Sequence, residues 1–241
     1  MPRGLVAPAL KHEWDVTPEK AREIQRRLSE RVVTRSGLRK ISFVGGADVS
    51  VKEDRGCAVC VVMKFPELEM VEEVMAEGRV RFPYIPGLLT FREGPLLLEA
   101  FAKLKKEPDV MIFDGQGIAH PLGLGLASHI GVVLGRPTVG CAKSRLVGEY
   151  REPGPDKGCA SALVYRGRRV GSVVRTRAGV RPVFVSPGNQ VGFDSSVSLV
   201  LDCARRYRLP EPTRAADTSS GGFMRALYSQ GRNKNILTGG G

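Results

Sequence analysis

What this chain lacks narrows its class. Its longest apolar runs, such as Cys57 to Met63, fall far short of the ~20 residues that span a bilayer. Met1 to Leu10 has no signal-peptide apolar stretch, so no membrane partner and a cytoplasmic location are expected. Aromatic residues make up only 6% of the 241, but 42% are hydrophobic, which excludes disorder as the main state. A chain of this length buries roughly 70% of its unfolded surface and needs no disulfide staple or structural metal. Cysteine is scarce and odd in number, five in all, so a disulfide framework is not expected. Cys57 and Cys60 form a C-x-x-C, but in a strand-like run where residues three apart face opposite ways, which disfavours a zinc knuckle. With Cys141, Cys159 and Cys203 they read as reduced, buried small hydrophobes.

Negative charge is also short. Asp and Glu number 25 against 37 Lys and Arg, a net charge of +12, which points to a polyanion, nucleic acid first, with a solvated basic surface as the alternative. The basic residues are spread along the chain rather than gathered beside an amphipathic anchor, which argues against a membrane surface.

The hydrophobic pattern alternates strands and helices. A helix is expected from Thr17 to Arg31, capped by Thr17 with Pro18 at its first position. Strand-like stretches at Ile41 to Val51, Cys57 to Phe65 and Glu72 to Phe82 read as an antiparallel meander. A helix at Leu96 to Lys105, a buried parallel strand at Val110 to Phe113 and a helix at Leu122 to Leu134 follow. Strands are expected at 137–140, 162–165, 170–175 and 182–185, and then a helix capped by Asp194 and reaching Tyr207. The class is α/β with a mixed sheet, an antiparallel meander and then parallel strands, flanked by helices. One domain over 1–241 is expected, with a helical N-terminal region to about residue 35 and a flexible Gly-rich tail at Gly239 to Gly241.

Two carboxylates stand where an apolar strand meets glycine, Asp48 and Asp114. On neighbouring strands they could share a divalent cation; singly, each is equally well a turn-forming Asp beside Gly. In Pro83-Tyr84-Ile85-Pro86 two prolines stiffen a turn that presents Tyr84 and Ile85, either as a wedge between bases or as core packing.

These segments resemble the endonuclease V family. The likeness rests on the strand around Asp48, on Pro83 to Glu93, on Phe113-Asp114-Gly115-Gln116-Gly117-Ile118-Ala119-His120-Pro121, on Gly140 to Leu146 and on Arg208 to Arg214, in collinear order from Ile41 to Asp217. The resemblance implies an RNase H-like fold and a Mg²⁺-dependent nuclease, with Mn²⁺ as a substitute. Its substrate would be DNA carrying deoxyinosine, or RNA carrying inosine, cut at the second phosphodiester bond 3′ to the lesion by a monomer. By motif position Asp48, Glu93 and Asp114 would be the metal-site acids, and Lys143 would face the scissile phosphate. Pro83, Tyr84, Ile85 and Pro86 would form the wedge; Gly87, Leu89, Gly115, Gly140 and Ala142, with His120, would form the pocket for the extruded base. His120 reads alternatively as a core histidine bonded to backbone, and His12 and His129 are read that way outright. The family's Ser-x-Gly-His, with its imidazole at the metal, is here Ser186-Pro187-Gly188-Asn189, a departure that leaves impaired cleavage with retained binding as an alternative.

Overall fold

A computed structural model of the chain describes residues 8–35, 38 and 40–237, with side chains to Ser229. The expected meander is present as β1 (Phe43–Lys52), β2 (Arg55–Lys64) and β3 (Met70–Arg79), paired antiparallel in that order. β4 (Val110–Phe113), buried along its whole length, runs parallel to β1, with Ala47 opposite Phe113. β5 (Thr138–Ala142) continues the parallel portion. The expectation of parallel strands after the meander holds only for these two. β6 (Ala160–Tyr165), β7 (Arg168–Val174) and β8 (Val183–Asn189) close the sheet as a second antiparallel set, giving the order β3-β2-β1-β4-β5-β8-β7-β6.

Helices cover both faces. α1 (Pro18–Ser29) starts on the Thr17 side-chain cap, with Pro18 where its missing N–H costs nothing. The N-terminal region is less helical than expected: residues 8–17 form an extended strap whose Leu10 N–H donates to Val133 O at 3.0 Å. Met1 to Ala7 and the Gly-rich tail lie outside the described residues. α2 (Leu89–Lys103) starts well before the expected Leu96, because it runs through Pro95 and forgoes only one amide bond. α3 (Leu126–Leu134) starts later than expected, since Gly123 takes a positive φ of 67° and Gly125 is the N-cap. α4 (Phe193–Cys203) is capped by Gly192; Asp194 instead lies exposed in its first turn, 3.4 Å from Arg169, and extended Ala204 ends the helix short of Tyr207. α5 (Glu211–Leu237) was not expected at all.

The sheet separates two cores. One face packs Ala47, Cys60 and Phe113 against α2 and α3; the other packs Val59, Ile112 and Val185 against α4 and α5. Cys57 and Cys60 fall on opposite faces, both buried, as the strand reading requires. Cys141 and Cys203 are buried as well, whereas Cys159 is half-exposed. Among the described residues no helix is long and apolar enough to cross a membrane.

Candidate active site

β1 and β4 bring Asp48 and Asp114 together, and α5 adds a third carboxylate, Asp217; one ligand oxygen of each lies within 4.8 Å of the others. The placement of α5 depends on Gly46 of β1. A methyl group there would lie 2.2 Å from the Pro212 carbonyl carbon, so only glycine lets the first turn of α5 lie on the strand. Ser220, one turn after Asp217, donates its hydroxyl to Asp48 Oδ2 at 2.6 Å and lies 2.9 Å from Ser50 Oγ. Glu93 on α2 is half-buried and senses the charges of Asp48 and Asp114, although it is not in the three-carboxylate group.

Lys143 follows the C-terminal end of β5 and places its Nζ 2.6 Å from Asp114 Oδ2 and 3.2 Å from Asp217 Oδ1. Burial works against the ammonium, but these two carboxylates outweigh it and hold the lysine pKa above its ordinary value. The acids are strained in the opposite sense. Burial raises the Asp48 pKa, the Ser220 hydrogen bond opposes it, and Asp114 and Asp217 add to it by repulsion. Asp114 is raised by burial despite its Lys143 partner. Glu93, through burial first and then the charges of Asp48 and Asp114, is pushed up to about 8. Like charges held together with too few cations favour binding of a cation among them.

Beside this group opens a cavity of about 340 Å³, lined by Tyr84, Ile85, Pro86, Gly87, Leu89, Gly115, His120 and Ala142 among others, with Asp114 and Lys143 on its wall. Tyr84 is 69% exposed, whereas Ile85 packs against the small core of α1, so the stiff turn divides its two side chains between solvent and interior. Gly87, at φ 83°, turns the chain into α2, and its carbonyl accepts from His120 Nε2 at 2.9 Å and from Gln25 Nε2 at 2.8 Å. Because His120 Nδ1 accepts from the Leu122 N–H, its proton is on Nε2 and the ring is neutral; burial lowers its pKa. Both readings of His120 therefore hold: it is bonded to backbone, and it braces the cavity wall.

Pro83 of the expected wedge and Gly140 of the expected pocket line no part of the cavity. Pro83 is exposed outside it, and Gly140 lies in β5, where a methyl group would meet Gly117 N at 2.4 Å; its smallness lets the 115–117 loop pack against the strand. Asn189 is the larger correction. It pairs with Thr138 at the start of β5, whereas Lys143 follows the end of that strand. Asn189 is 3% exposed; its Oδ1 accepts from Val33 N at 3.1 Å, and its Nδ2 donates to Gly131 O and Arg136 O. It ties three segments together and has no part in the acidic group. His129 is not bonded to backbone through its ring either: it pairs with His12, Nε2 to Nε2 at 2.9 Å. His12 does bond backbone, Nδ1 to Glu13 O at 2.6 Å.

Asp217 was missed although it closes the collinear match. Nothing near it alternates with a strand end, and its helix passes through Ser219-Ser220-Gly221-Gly222, a poor helical sequence. The Pro210-Glu211-Pro212 start signal was the available clue.

The endonuclease V family model matches residues 26–218 of this chain. Endonuclease V of Methanothrix thermoacetophila is 50% identical over 205 residues, covering 85% of this chain and 91% of that protein. The crystal structure of endonuclease V from Streptomyces avermitilis superposes with a TM-score of 0.84 at 40% identity, covering 92% of this chain and 97% of that one. Ciona intestinalis endonuclease V, crystallised with a 24mer DNA containing an inosine followed by a ribo-adenosine, superposes at 0.75 with 26% identity, covering 87% and 98%. With a family model matched over most of its length and relatives of this identity, the chain belongs to the endonuclease V family.

Proposed function

We propose that this chain is a cytoplasmic repair endonuclease that recognises deaminated adenine in DNA and hydrolyses the second phosphodiester bond on its 3′ side with Mg²⁺. The observation that carries the reading is the convergence of Asp48, Asp114 and Asp217 within 4.8 Å, with Asp114 on the wall of a cavity fronted by an exposed aromatic on a stiff turn. The donor set suits the ion: all-oxygen, carboxylate, and already repelling itself, with Lys143 as the present counter-charge. Asp48, Asp114 and Asp217 would hold the cation, with Glu93 behind them. Bound there, a divalent cation polarises a phosphoryl oxygen and lowers the pKa of a bound water.

The remaining work belongs to the chain's own groups. Tyr84 stacks on the bases left when the lesion leaves the helix. Hypoxanthine carries a 6-oxo acceptor and an N1–H donor, which backbone groups around Gly87 and Gly115 can read without a side chain in the way. Lys143, released from Asp114 and Asp217, offsets the charge that builds on the phosphate. Asn189 plays no part, which removes the motive for a crippled enzyme that only binds.

The test incubates the protein with inosine-containing and undamaged strands, each as DNA and as RNA, with and without Mg²⁺. Cleavage confined to inosine DNA with Mg²⁺ is expected. Preferred cleavage of the RNA strand would move the natural substrate to RNA, and equal cleavage of undamaged strands would overturn the reading.

A further inference from the structure

A second cavity, of about 640 Å³, lies on the other side of Lys143 and takes Lys143, Ser144 and Arg145 as a wall shared with the first. Tyr150, Arg181 and Arg208 complete its functional lining. Its charge is one-sided. Glu152 is its one carboxylate, and that group is engaged by Arg175 at 2.8 Å. Among the described residues Arg145, Arg181 and Arg208 form no ion pair with an acid, so this lining carries an uncompensated positive charge.

Arg208 is held rather than free. Its Nη2 donates to Lys143 O at 2.6 Å and to Pro182 O at 2.8 Å, while its Nε–H is buried without a partner. Burial, and Arg181 beside it, disfavour its charge. An unpaired donor and crowded guanidiniums are a standing cost that an anion relieves. Next to them stands an aromatic surface: Tyr150 is braced edge-on by Phe184 at 5.5 Å, with the Arg145 guanidinium 5.7 Å from its ring centre. Guanidiniums beside a fixed aromatic are what a single nucleic-acid strand requires, phosphate on the one and base on the other.

We propose that this second cavity seats the strand on the 3′ side of the cut, with a phosphate at Arg181 and Arg208 and a nucleobase against Tyr150. The inference rests on the nuclease reading above. A strand with its lesion in the first cavity and its scissile phosphate at Lys143 has travelled 3′-ward between them, so what lies past Lys143 is the downstream product.

The test measures binding, without added divalent ion, of single strands that carry inosine and extend on both sides, only 5′, or only 3′, against an adenosine strand as control. The proteins are wild type, Arg181→Gln and Tyr150→Leu, the latter chosen to keep apolar packing on Phe184. Each variant is expected to bind the two-sided and 3′-extended strands on the order of tenfold more weakly, and to match wild type on the strand lacking a 3′ extension. Arg181→Gln should also lower the salt slope by ~0.7 on the 3′-extended strand only, the loss of one single-strand phosphate contact. Equal losses on all strands, or losses that follow the 5′ extension, would overturn the assignment while leaving the nuclease reading intact. Failure of wild type to prefer inosine over adenosine would overturn both.

Discussion

At the acidic centre Asp48, Asp114 and Asp217 face one another from β1, the end of β4 and α5; where the N-terminal strap crosses α3, His129 stacks on the strap's His12 and Trp14 and meets Phe91 edge-on. Each region withdraws titratable groups from water. The first keeps carboxylates together although burial and repulsion raise the pKa values of Asp48 and Asp114, and among the described residues Lys143 is the cation that pairs with it. The second holds its histidines neutral: burial lowers both, His129 well below its ordinary value, and the Glu13 carbonyl fixes the His12 proton on Nδ1, so that His129 Nε2–H donates to His12. Neutrality there serves packing. The fold bears the strain at the centre because β4 and β5 beside it are buried along their length.

The contrast breaks first at Asp48. Asp48→Asn should lower single-turnover cleavage of an inosine strand by at least ~10³-fold, about 4 kcal/mol of barrier, while the metal-free melting temperature stays level or rises as a repelling charge is removed. A large fall in melting temperature would mean that the acids hold the fold together. His129→Ala should do the reverse, lowering stability by ~2–4 kcal/mol in denaturant unfolding through a cavity beside Phe91 and an unpaired His12, with cleavage unchanged below the transition.

The two regions also depend on pH with opposite signs. His129 has a lowered folded pKa, so its contribution is present above ~6.5 and lost as pH falls below it. Glu93 has a raised one; without metal its contribution is present below ~4.5 and lost as pH rises through about 8. Difference curves of melting temperature, wild type minus His129→Phe and wild type minus Glu93→Gln, should therefore slope in opposite directions, and parallel slopes would refute the distinction. The smallest effect is expected at Ser220, whose bond orients Asp48: Ser220→Ala should weaken Mn²⁺ binding ~10-fold with little change in stability.

Local signals read these regions unequally. Thr17 with Pro18 set the start of α1 at its observed residue, and the apolar run 110–113 coincides with β4, because caps and short buried strands are written in adjacent residues. Asp114 was visible for the same reason, at the strand–glycine junction that ends β4, whereas Asp48, expected at such a junction, lies in mid-strand because β1 runs on through Gly45 and Gly46 to Lys52. Asp217 and Ser220 reach the centre only through the packing of α5 on Gly46, a contact between distant segments with no local period. Asn189 was misplaced because four residues of likeness carry no information on which end of a strand they occupy; the β5–β8 register supplies it. The His12–His129 pair escaped for a similar reason, since each ring looks like a lone core histidine until the strap is laid across α3.

The docking of α5 on Gly46 has a consequence for how the molecule is made. Synthesis runs from the N-terminus, so β1, β4 and the first two carboxylates have been made before the helix that brings Asp217 has left the ribosome. Until Pro212 settles on Gly46, the growing chain holds two acids and an uncovered sheet face, and the three-carboxylate group is not formed. The three-carboxylate group is thus completed last, by the closing of the fold itself, and a nascent fragment that stops short of α5 carries the cavity-lining residues but only two of the three acids.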